Sequence, residues 1–169
     1  MGCVSVDFER FSIYGFSIMC PNDCRLELTT KTRRESGTVT FHFPDKVRIF
    51  LSWGELRKAL KKFQTVEEHA EHSLSVVKKG GNVKNFERVS QDSLSICSHR
   101  GVYNHVELEE VSASLFAGSR RTPRLAYSVH VHCPSSSRYF VIYTLLPGTE
   151  AEYEKIVMAM ANSLICHQS

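Results

Sequence analysis

The chain has 169 residues, of which 42% are hydrophobic and 23% charged, with a formal net charge of +3. That length is enough for one domain to bury roughly 70% of the surface its unfolded chain exposes. The composition excludes collagen-like, low-complexity and wholly disordered readings, and so small a positive surplus does not by itself demand a nucleic-acid or membrane partner.

At the start, Met1-Gly2-Cys3 resembles an acylated N-terminus but departs from the motif at Val6, where Ser or Thr is wanted. Asp7, Glu9 and Arg10 replace the apolar core of an export signal, and no stretch approaches the roughly 20 apolar residues of a membrane span. The chain is therefore read as cytoplasmic. Phe11 to Cys20 reads as a strand bent at Gly15, followed by a turn at Pro21-Asn22-Asp23. Arg25 to Thr32 and Gly37 to Phe43 form a hairpin pair with alternating Val39, Phe41 and Phe43, and Val47, Ile49 and Leu51 continue the pattern.

Three S/T-x-x-E pairs then predict helix starts: Ser52 with Glu55, Thr65 with Glu68, and Thr149 with Glu152. The first helix places Trp53, Leu56, Leu60 and Phe63 at helical spacing, with Arg57, Lys58, Lys61 and Lys62 opposite. The second, Val66 to Lys79, carries an apolar stripe of Val66, Ala70, Leu74 and Val77 and stops at Gly80-Gly81. Strand-like segments follow at 83–89, 93–98, 102–112, 124–133 and 138–146, the last two joined by a Pro134 to Ser137 loop. In the fourth, His130 and His132 share one face and Tyr127, Val129, Val131 and Cys133 the other. The last helix is the clearest, with Tyr153, Ile156, Val157, Met160, Ala161 and Leu164 on one side.

This order of elements resembles the PsbP-like superfamily. The echoes are Gly15-Phe16-Ser17-Ile18, the 66–79 helix, Gly101-Val102-Tyr103-Asn104-His105, and the 150–164 helix ending in Asn162-Ser163-Leu164. The resemblance implies an α+β domain over residues 1–169, an α/β/α sandwich with a central antiparallel sheet flanked by helices. The superfamily includes an extrinsic photosystem subunit, a factor that binds the GTPase Ran, and bacterial chaperone-like and lipoprotein relatives, most of them binding modules. What carries over is a non-enzymatic protein-interaction or chaperone-like domain, an expectation at the level of fold alone.

The chemistry-bearing residues agree with that expectation. No G-x-S-x-G elbow, phosphate loop or H-E-x-x-H motif occurs, so no catalytic residue is named. Six cysteines lack any CxxC pair, and Cys20 and Cys24 have no partner pair at finger spacing, so free thiols are expected and neither metal nor cofactor is assigned. His69 with His72, and His130 with His132, each supply two ligands at most. Cys97 and Ser98 precede His99, and Cys166 adjoins His167, but sequence neighbours on a strand point to opposite faces. The distinctive surface feature is charge. From Lys46 to Lys62 six cations face Glu55 alone, and Arg120, Arg121 and Arg124 lie in a Gly/Ser loop with no acid between Ser112 and Arg138. Arg57, Lys58, Lys61, Lys62, Arg120, Arg121 and Arg124 are therefore the candidate partner- or anion-binding residues. A protein partner, with homodimerisation through an open sheet edge as one form, is the leading expectation, and electrostatic binding of nucleic acid or an anionic surface by the basic helix 53–63 is the alternative.

Overall fold

The computed structural model describes residues 6–114, 118–148 and 152–168. Nine strands and three helices are assigned among them, so the protein is mainly antiparallel sheet with a few helices, an α+β fold. β1 (Phe8–Ile13) and β2 (Phe16–Pro21) pair in a separate two-stranded ribbon. The expected single bent strand is thus two strands. Tyr14 at φ 50 and Gly15 at φ 77 are consecutive left-handed residues, which reverse a chain where one would only have bulged it.

The larger sheet has the order β3-β4-β5-β9-β8-β7-β6, antiparallel throughout. Its strands are β3 (Arg25–Leu28), β4 (Gly37–His42), β5 (Arg48–Glu55), β6 (Val83–Ile96), β7 (His99–Ser114), β8 (Gly118–Cys133) and β9 (Arg138–Pro147). β5 runs further than its expected end. Ile49, Leu51 and Trp53 alternate inward, and Ser52 Oγ meets Thr38 Oγ1 across the sheet at 2.8 Å. The helix expected from Ser52 therefore shrinks to α1 (Leu56–Leu60), whose preceding Glu55 makes no side-chain cap. Pairing on both sides, with β4 and β9, outweighs the spacing of Trp53 with Leu56 and Leu60. Gly54 is also fixed by this pairing, since a Cβ there would lie 2.6 Å from the Tyr139 ring.

α2 (Val66–Lys78) keeps its expected start. Thr65 Oγ1 accepts from the Glu68 N–H at 3.2 Å, while the Glu68 carboxylate accepts from the Gln64 N–H at 2.7 Å. Its end differs, because Lys79 closes the helix at φ −81 and neither Gly80 nor Gly81 takes a left-handed conformation. The two segments expected at 83–89 and 93–98 are one strand, β6, with register shifts at Lys84/Glu87 and Arg88/Ser90 that account for the break in alternation. Thr149 and Glu150, expected at the start of the last helix, lie outside the described residues.

α3 (Tyr153–Asn162) buries Tyr153, Val157, Met160 and Ala161, with Leu164 just beyond, as its spacing predicts. They join the main core with Tyr127, Val129, Val131 and Cys133 of β8 and with Phe16 and Ile18 of β2. The alternate residues of β8 meet α2, where Val66 and Ala70 pack on Val102 of β7. Met160 is fully buried, so Met160→Ala should cost about 2–5 kcal/mol in urea unfolding. A loss under about 0.5 kcal/mol would mean that this face of α3 does not carry the core.

Candidate functional site

The basic residues do not gather. Arg57 and Lys58 are exposed on α1, where Glu55 lies 3.9 and 3.1 Å from them, and Lys61 and Lys62 follow in the turn. Arg120, Arg121 and Arg124 are in β8 and not in a loop. Acids from the neighbouring strand supply what the local sequence lacks: Arg121 lies 3.5 Å from Glu109, and Arg124 donates to Glu110 at 2.7 Å. Leu56, Arg57 and Lys61 share a hollow with Pro134 at the far end of β8. Ten residue steps along the strand carry the chain from Arg124 to Pro134, about 33 Å at ~3.3 Å per residue, so the two clusters form no common patch.

Of the two edges of the larger sheet, β3 and β6, the longer is uninviting. β6 is an edge strand broken by two register shifts and carrying Lys84, Glu87, Arg88 and Asp92, features that discourage pairing with a second sheet.

The histidines do gather, beneath α2. His69 Nδ1 lies 3.1 Å from His132 Nε2, and His130 Nε2 lies 3.1 Å from Ser73 Oγ. Phe63 stacks on His69 with centroids 4.9 Å apart, and Tyr139 meets the same ring edge-on. Burial, with His69 and His132 adding repulsion, pushes the His130 imidazole down to about 3. Burial, then His132 and His72, pushes His69 down to about 4. These rings are neutral near pH 7 and serve as packing groups.

Beside them lies a groove of about 460 Å³ between α2 and the sheet. Its walls are Leu74, Val76 and Val77 of α2, and Val141, Tyr143 and Leu145 of β9. Val76 is 57% exposed, Leu145 43%, Val77 40% and Tyr143 39%, an unusual run of apolar residues left open to water. Phe50 extends the platform by stacking on Tyr143 at 4.9 Å. On the floor, Ser128 Oγ and His130 Nδ1 are buried and make no hydrogen bond within the chain. At the other end of β9, Lys61 and Lys62 border a hollow with Phe63, His69 and Tyr139. The acids of α2 face elsewhere: Glu67 pairs with Arg100, Glu71 with Arg88, and Glu68 caps the helix.

A second cluster sits at the end of the sheet. β7 and β8 are in a register that sets Gly101 opposite Val131, which carried two residues further brings His99 to Cys133. The chain after α3 returns beside β2, where Ser17 and Ile165 exchange backbone hydrogen bonds of 2.9 and 2.8 Å, and so delivers Cys166 and His167 to the same place. A bend at His167 lets both adjacent side chains point inward, contrary to the strand expectation. Cys133 Sγ lies 3.4 Å from His99 Nε2 and 3.5 Å from His167 Nδ1, and Cys166 Sγ lies 3.4 Å from His167 Nδ1. The five described cysteines form no disulfide with one another. Neither cluster was legible as a site, since each joins residues more than sixty positions apart; only the hairpin register offered a signal, for His99 and Cys133.

No protein-family model matches the chain, and no curated protein matches it. Among solved structures it is similar to the solution structure of cyanobacterial PsbP from Synechocystis, at TM-score 0.67 and 11% identity over 98% of this chain and 96% of that one. It is also similar to the crystal structure of the Ran-binding protein Mog1p of Saccharomyces cerevisiae, at TM-score 0.61 and 11% identity over 95% of this chain and 96% of that one. The chain has a PsbP-like fold.

Proposed function

We propose that this chain of PsbP-like fold is a non-enzymatic protein-binding domain whose groove between α2 and β9 takes an amphipathic helix of a partner protein. The observation that carries the reading is the exposed apolar row of Val76, Val77, Tyr143 and Leu145 around a largely apolar groove. Such a row costs solubility and is found where another surface covers it. Tyr139 to Leu145 spans about 20 Å of strand, the length of a partner helix of about thirteen residues. Lys61 and Lys62 at one end favour an acidic residue on the partner's last or first turn. Mog1p, by its title a Ran-binding protein, supplies a precedent for protein binding on this fold.

The reading takes residues 1–169 as one cytoplasmic domain, with α2 over one face of the sheet and α3 over the other, an α/β/α sandwich. No described helix is long and apolar enough to cross a membrane. The nucleic-acid alternative gains no support, because α1 is five residues long and its basic residues are partly paired with Glu55.

The test is capture from native lysate, with and without nuclease, by the wild type, by a groove variant carrying Val77→Glu and Tyr143→Glu, and by a variant with Arg57, Lys58, Lys61 and Lys62 all changed to Ala. A protein held by the wild type should resist nuclease and fall at least about tenfold in affinity with the groove variant, the size of a loss of a central apolar contact. Hydrogen exchange of the purified pair should then show protection on α2 and β9. Recovery that the groove variant leaves unchanged, or that nuclease abolishes, overturns the reading.

A further inference from the structure

We propose that His99, Cys133, Cys166 and His167 form a closed, four-coordinate zinc site that fastens the C-terminal tail to the end of the sheet. Their four ligand atoms all lie within 4.8 Å of one another, and among the described residues this is the cluster of three or more such groups that could hold a metal. The site is independent of the groove, which α2 and β9 line some distance along the sheet.

Three edges of the cluster fit the ion. With Zn–S near 2.3 Å and Zn–N near 2.05 Å, a tetrahedral site has sulfur-to-nitrogen edges of about 3.6 Å. The three measured here are 3.4, 3.5 and 3.4 Å. His99 and His167 have ring centroids 5.3 Å apart with planes 57° from each other, so the two rings are tilted and not stacked. Ordinary sulfur–imidazole hydrogen bonds give one or two such contacts, whereas two sulfur and two imidazole donors gathered from three separate segments is the arrangement of a structural metal centre.

The surroundings fit too. The Ser136 N–H donates to Cys133 Sγ at 3.4 Å, the kind of backbone contact that steadies a metal-bound thiolate. Arg138, buried at the start of β9, acts electrostatically on both Cys133 and Cys166 while it donates to the Tyr14 and Arg34 carbonyls at 3.0 and 3.4 Å. Charge balances at the centre: the two fully buried thiols lose their protons to solvent, their two negative charges offset the dication, and the centre as a whole then carries no net charge. Thiolate and imidazole exclude magnesium and calcium, and a full set of four protein ligands leaves no open position, which makes the site structural and not catalytic.

The full chain, produced with zinc in the medium and purified under a non-thiol reductant, should carry about one zinc per molecule by elemental mass spectrometry. Replacing it with cobalt should give the visible bands of a tetrahedral sulfur–nitrogen site, and loading the metal-free protein should release about two protons per ion. Cys133→Ser and Cys166→Ser should abolish both signals. As either could fail to fold, His167→Gln, at a half-buried ligand, should weaken zinc binding at least about tenfold with the circular dichroism unchanged, while Cys24→Ser keeps full occupancy. Metal-free protein that yields no tetrahedral cobalt spectrum, or a Cys133–Cys166 disulfide in the reduced preparation, overturns the proposal.

Discussion

Trp53→Ala is expected to remove about 3–5 kcal/mol of stability. The indole is 2% exposed at the end of β5, and it fills the space that β2 and the 33–37 loop close over. Phe16 meets it at 5.0 Å between centroids and Tyr14 at 6.3 Å, and its Nε1–H donates to the Arg33 carbonyl at 3.0 Å. Gly37 lies so close that a Cβ there would stand 2.6 Å from the indole Cζ2. Few neighbours can move in, because β4 and β9 hold the backbone on both sides, so the cavity stays open and its full cost is felt. Urea unfolding followed by circular dichroism reads the effect, since the variant lacks the sole tryptophan. Trp53→Phe should lose less than half as much. A loss under about 1 kcal/mol for Trp53→Ala would show that the ribbon of β1 and β2 does not depend on this contact.

Trp53 also shows where sequence reasoning succeeded and where it stopped. Strand alternation in Val39-Thr40-Phe41 and the apolar stripe of α3 each rest on one period, and each was legible without the rest of the fold. Trp53 satisfies two periods at once, with Ile49 and Leu51 as a strand and with Leu56 and Leu60 as a helix. Only the presence of partner strands on both sides decides between them. The Ser52-to-Glu55 spacing added a false helix start, since the Ser52 hydroxyl was committed to Thr38 across the sheet. The same limit hid the acids that neutralise Arg121 and Arg124, which sit on β7 and not nearby in the chain. Local chemistry was readable in one dimension. The groove and the Cys/His cluster are products of register, and a list of residues does not contain register.

The histidines beneath α2 predict how the protein meets acid. In the unfolded chain His130 titrates near 6.5; in the folded protein burial, and then His69 and His132, push it down to about 3. Between these values the unfolded state binds a proton that the folded state refuses, so stability is full above about pH 6.5 and is lost as pH falls toward 3. For a group this deeply buried the loss is about 1.4 kcal/mol per pH unit, roughly 2 kcal/mol by pH 5 and on the order of 5 kcal/mol by pH 3. His69 and His132 are pushed the same way, chiefly by burial, and add smaller amounts because solvent screens them. Carboxylates titrate mainly below this range, so in the metal-free protein the upper window belongs to the imidazoles. Urea unfolding between about pH 7.5 and about pH 5 should show the fall, and His130→Gln, which keeps a partner for Ser73 Oγ without titrating, should flatten it by about 1.4 kcal/mol per unit. Equal slopes in the two proteins would mean that His130 gains a proton without displacing α2. Because His130 also floors the groove and the folded protein refuses its proton until about pH 3, the partner affinity of the folded wild type should hold across the upper window even as its stability falls.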